Sequence, residues 1–108
     1  MAGFRPARAA CCWPETDTRT RYTFLGTGNN ERGLAYGNNH LYLVSRSGGT
    51  SIRILDPITG ADLGALNNTG LSGGTFAVNQ AAVGRDGAIY VNNLTTQSTT
   101  SPLKVYRW

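Results

Sequence analysis

The chain has 108 residues, enough to bury one core, and its hydrophobic content of 40% exceeds what a disordered tail carries. Gly, Asn, Thr and Ser are abundant and only 15% of residues are charged, a balance that suits short strands joined by tight turns rather than helices. The net charge of +4 is mostly arginine, yet no basic face with interleaved aromatics is legible, and no apolar run is long enough to cross a bilayer as a helix.

The first dozen residues, "MAGFRPARAACC", carry no periodicity, and residues 1–12 are read as a disordered or cloning-derived leader. No apolar signal-peptide core follows Met1. Arg5, Arg8, Arg19 and Arg21 make this end basic, which is expected to be a solvated charge rather than a nucleic-acid contact. The adjacent Cys11 and Cys12 fit neither unstrained disulfide geometry nor zinc spacing, so free thiols are expected.

From Trp13 the pattern changes. "RYTFLG" (Arg21 to Gly26), "GLAY" (Gly33 to Tyr36) and "HLYLVS" (His40 to Ser45) read as strands. "SIRILD" follows a Gly-Gly turn, with Ile52 and Ile54 on one face and Arg53 and Leu55 on the other. "DPITG" is a turn, and "ADLGAL" a short outer strand.

The phrase "GLAYGNNHLYLVS" then returns as "QAAVGRDGAIYVNN" (Gln80 to Asn93), aligned at an offset of 47 that sets Tyr36 on Val83, Gly37 on Gly84, Leu41 on Ala88, Leu43 on Tyr90 and Val44 on Val91. "SIRILD" likewise corresponds to "PLKVYRW". Asn38, Asn39 and Gly87 are placed to supply the positive φ of two hairpin turns. A repeat in the forties with strands and no helices fits an all-β fold of four-stranded blades.

The phrase "AVGRDGAIYV" resembles the blade signature of NHL-repeat, gluconolactonase-like and paraoxonase-like β-propellers. The resemblance implies blade one at 33–66, blade two at 79–108, and residues 13–28 as an outer strand completing the last blade. Two blades cannot close a ring, so homo-oligomerisation is expected: six blades as a homo-trimer, or eight as a homo-tetramer. The alternative is a fragment of a larger propeller.

Strand direction gathers certain residues at one axial mouth. Arg46, Gln80 and Asn93 are the expected substrate contacts. The resemblance implies calcium held by Asn30, Glu31, Asn79 and Asn92, with the ion polarising a lactone or ester carbonyl. The enzyme expectation is thus a calcium-dependent lactone or ester hydrolase; the alternative is a non-catalytic propeller binding a small molecule, glycan or protein. His40 sits on the opposite, turn side, where packing or surface exposure is expected of it, and no nucleophile elbow is legible.

Overall fold

The computed structural model describes residues 22, 24–26 and 28–108. The leader, both cysteines, the four N-terminal arginines and most of segment 13–28 lie outside these. Seven strands follow in order: β1 (Glu31–Gly37), β2 (His40–Ser45), β3 (Ser51–Leu55), β4 (Asp62–Ala65), β5 (Phe76–Val83), β6 (Ile89–Leu94) and β7 (Val105–Arg107). They make two antiparallel sheets, a first of order β1-β2-β3-β4 and a second of order β5-β6-β7. The all-β reading therefore stands. Two four-stranded units do not: among the described residues the sheets have four and three strands.

The turns form where the sequence permits left-handed backbone. Asn38 and Asn39 take φ of 54° and 58° between β1 and β2, and Gly87 takes 86° between β5 and β6. The Asp56 carboxylate closes the next turn by accepting the N–H groups of Ile58 and Thr59, at 2.8 and 3.0 Å.

Residues directly opposite in antiparallel strands share a face, so the register fixes which side chains meet. Ala35 opposes Tyr42, Gly33 opposes Val44, and these in turn oppose Ile54 and Ile52. That face, the front of the first sheet, packs on the second. Ala81 opposes Val91, Val83 opposes Ile89, and Val91 opposes Tyr106, so these form the back of the second sheet. Tyr42, Val44, Ile52, Val78, Ile89 and Val91 make the core between the sheets. Val44, Ile52 and Val78 are wholly buried, each stabilising the fold by about 1.5–3 kcal/mol.

β1 and β5 approach closely because β1 presents no side chain there. A Cβ on Gly33 would lie 2.7 Å from the Asn79 carbonyl oxygen, a distance that only glycine allows.

The back of the first sheet holds Leu41, Leu43 and Leu55, covered by buried Tyr22 and Phe24, whose rings stack 4.9 Å apart. The Tyr22 hydroxyl donates to the Gly60 carbonyl, and the Ser45 hydroxyl to that of Phe24, at 2.9 Å. The described part of "RYTFLG" thus lies on its own chain's first sheet and is not itself a strand.

The register corrects one feature of the repeat. Tyr36 opposes Leu41 across the first hairpin, whereas Val83 opposes Ile89 across the second, which is one residue longer. Leu43 therefore corresponds to Val91 rather than Tyr90, Val44 to Asn92 rather than Val91, and Leu41 to Ile89 rather than Ala88. A one-residue slip changes the face of every side chain after it.

Candidate functional site: an arginine pair at the strand starts

The residues expected at one mouth separate into four environments. Asn30, Arg46 and Asn79 come together where β1 and β5 begin and β2 ends. Arg46 Nη1 donates to Asn30 Oδ1 at 3.3 Å, and the Arg46 backbone N–H to the Asn30 carbonyl at 3.0 Å. Arg32, at the start of β1, donates from Nε to Asn79 Oδ1 at 3.1 Å.

Both guanidiniums lie over the ring of Phe76. Its ring centroid is 3.7 Å from Arg46 Cζ and 4.9 Å from Arg32 Cζ, close enough for both charges to interact with its π-face. Arg32, Arg46 and Phe76 are all half-buried.

Gln80 and Asn92 lie elsewhere. Asn92 Oδ1 accepts the Gln80 N–H at 3.1 Å, and both line a shallow, mainly apolar groove of about 180 Å³ on the second sheet's front, with Ala82, Tyr90 and Val105. Glu31 Oε1 accepts the Gly26 N–H at 2.7 Å, holding the link that enters β1.

Asn93 is 1% exposed. Its Nδ2 donates to the Pro102 carbonyl at 3.2 Å and its Oδ1 accepts the Lys104 N–H at 2.9 Å, so both ends of the amide tie down the loop before β7. Ser45, at the corresponding place in the first sheet, secures the link before β1 in the same way. His40 is half-buried at the start of β2, its ring 6.2 Å from that of Tyr42.

Arg32 and Phe76 were not among the residues expected at the mouth. A signal for Arg32 was present: its repeat position is that of Asn79, to which it is bonded. Among the described residues no group of three His, Cys, Asp or Glu side chains gathers as a metal cluster would.

The profile of one protein family, described as domain of unknown function DUF4623, matches residues 20–108. The chain belongs to the DUF4623 family. It is also similar to the crystal structure of a DUF4623 family protein from Bacteroides eggerthii, at 27% identity and a TM-score of 0.60, over 74% of this chain. The match covers 19% of that protein, so this DUF4623 chain spans about a fifth of its length. A search of curated proteins gave no match.

Membership of DUF4623 corrects the resemblance to NHL-repeat, gluconolactonase-like and paraoxonase-like propellers. The signature "AVGRDGAIYV" is a hairpin with a positive-φ glycine flanked by alternating apolar residues, which many antiparallel sheets need regardless of family.

Proposed function

We propose that this chain is an assembly module whose sheets stack head to tail, front on back, with further sheets of the same kind. One observation carries the reading: the two outward faces are counterparts of the two faces that already pack together. The second sheet's front bears Ala82, Tyr90 and Val105, where the first sheet's front bears Ala35, Tyr42 and Ile52. The first sheet's back bears Leu34, Tyr36, Leu41 and Leu43, where the second sheet's back bears Ala81, Val83, Ile89 and Val91.

Exposure supports it. Leu34 and Tyr36 are 61% and 62% exposed on one outward face, Val105 62% on the other, apolar surface of the kind that marks an interaction site. The links agree as well: Leu71 packs between the sheets ahead of β5, and Phe24, at the same repeat position, packs on the first sheet's back ahead of β1. A closed trimer or tetramer is one product of such stacking; a longer array is another.

Sedimentation velocity over a concentration series tests this. The expected result is association that rises with concentration and is lost in Tyr36→Glu or Val105→Glu, both at positions exposed enough to leave the monomer folded. A single monomeric species at every concentration overturns it.

The second reading is the calcium-dependent hydrolase, for which Asn30, Glu31, Asn79 and Asn92 supply hard oxygen atoms. Two of those side chains already accept from Arg32 and Arg46, whose charges disfavour a dication between them. Lactone turnover abolished by a chelator would favour this second reading.

A further inference from the structure

We propose that Arg32 and Arg46, set about the Phe76 ring, form a binding site for an oxyanion, with the carboxylate of a small acidic ligand such as a sugar acid as the preferred form. Two guanidiniums are drawn to one aromatic ring at 4.9 and 3.7 Å, half-buried between two sheets where water screens them less than at an open surface. The ion pairs between described residues, Arg53 with Asp62 and Arg107 with Asp86, leave both of them out. Glu31 is the adjacent carboxylate, and its Oε1 is turned to the Gly26 N–H.

The donors are also held ready. Asn79 takes one nitrogen of Arg32 and Asn30 one nitrogen of Arg46, which orients each planar fork and leaves its remaining N–H groups without a partner among the described residues. Neutral amide oxygens orient a guanidinium without cancelling its charge, so each fork keeps its affinity for a negatively charged oxygen pair. The ring beneath adds an apolar platform for the body of the ligand. A carboxylate fits a guanidinium fork in plane, with two parallel hydrogen bonds. Phosphate offers the same oxygens, so inorganic phosphate is the comparison probe.

The site lies between two sheets of one chain and does not depend on stacking with another. Its failure and the failure of the assembly reading are therefore separate results.

The test is NMR titration of the arginine Nε–H signals with sodium glucuronate, inorganic phosphate and neutral glucose. The expected result is a saturable shift of the Arg32 and Arg46 signals with glucuronate or phosphate, and none with glucose. Saturation by phosphate alone supports the oxyanion site and reassigns its preferred form. Arg46→Gln is expected to weaken binding about tenfold or more, in line with loss of a charged hydrogen-bond donor. Arg46→Lys keeps the charge above the ring, guards against loss of folding, and is expected to lose less. Arg107→Gln, at the exposed pair with Asp86, is expected to change nothing. No saturable shift with either anion, an equal response to glucose, or binding that survives Arg32→Gln combined with Arg46→Gln would overturn the proposal.

Discussion

Gly33 shows how a single missing side chain sets the distance between two sheets. A Cβ there would meet Asn79 O at 2.7 Å and Gln80 Cα at 3.0 Å, backbone atoms that no rotamer change moves aside. Gly33→Ala is therefore expected to cost about 1–3 kcal/mol, the scale of an overpacked interface. Gly28→Ala, whose new Cβ would find only Asn30 Nδ2 at 3.7 Å, is expected to stay within about 0.5 kcal/mol; urea denaturation of the two variants checks the contrast. Among the described residues, three aspartates contribute to the response to acid. The Thr59 and Ile58 N–H groups hold the Asp56 carboxyl below its ordinary 3.8, and the Ala88 N–H, aided by Arg107, does the same for Asp86. At Asp62 burial works in the opposite sense, but the hydrogen bonds and charge of Arg53 and the Gly64 N–H outweigh it, so this carboxyl is lowered too. Each group titrates lower in the folded chain than in the unfolded one, so its contribution is complete above the unfolded value near 3.8 and is lost as pH falls through the folded value. Thermal melts are expected to be flat with respect to these groups from neutral pH down to about pH 5 and to fall below about pH 4, and Asp56→Asn is expected to make the acid loss shallower.

At the scale of strands, local chemistry was readable and facing was only partly so. β2 spans His40–Ser45 as its alternation implied, β3 divides Ile52 and Ile54 from Arg53 and Leu55, and Asn38, Asn39 and Gly87 supply the positive φ of the hairpins. These features depend on neighbours in sequence, which is why they can be read from it. The extra residue in the second hairpin could not, because Arg85-Asp86-Gly87 and Asn38-Asn39 both read simply as turns. Only the register shows that one contains more chain. β5 begins at Phe76, and its register shifts between Phe76 and Gln80, so alternation fails where the candidate site lies. Within the strand, Asn79 lies against Arg32 while its neighbour Gln80 lines the open front, as alternation between adjacent residues requires. Asn30, Arg46 and Asn79 could be assigned to one end from strand direction alone. Phe76 could not, since its approach to the arginines depends on how two sheets stack, and Arg32 was marked only by sharing the repeat position of Asn79.

For the molecule as a whole, head-to-tail stacking makes a demand that other forms of association do not. A front can meet only a back, so two differently blocked chains should each be stopped and yet complement one another. Val105→Glu places a charge on the second sheet's front and leaves the first sheet's back intact; Tyr36→Glu does the reverse. A carboxylate on either face of a stacked pair would be buried against apolar side chains, at a cost large enough to remove that contact. Alone, each variant keeps one competent face and has no competent partner for it. Mixed in equal amounts, they are expected to form a complex of one copy each that grows no further, because its two outer faces are the blocked ones. Symmetric association through one patch predicts otherwise: the variant altered in that patch stays monomeric, the other pairs with itself, and mixing adds nothing. Pairing through the β7 edge, whose neighbour among the described residues is β6 alone, uses backbone groups and would survive both substitutions. Sedimentation of the mixture beside each variant alone separates the three cases, and the absence of a mixed dimer under conditions where the unaltered chain associates would rule out stacking of front on back.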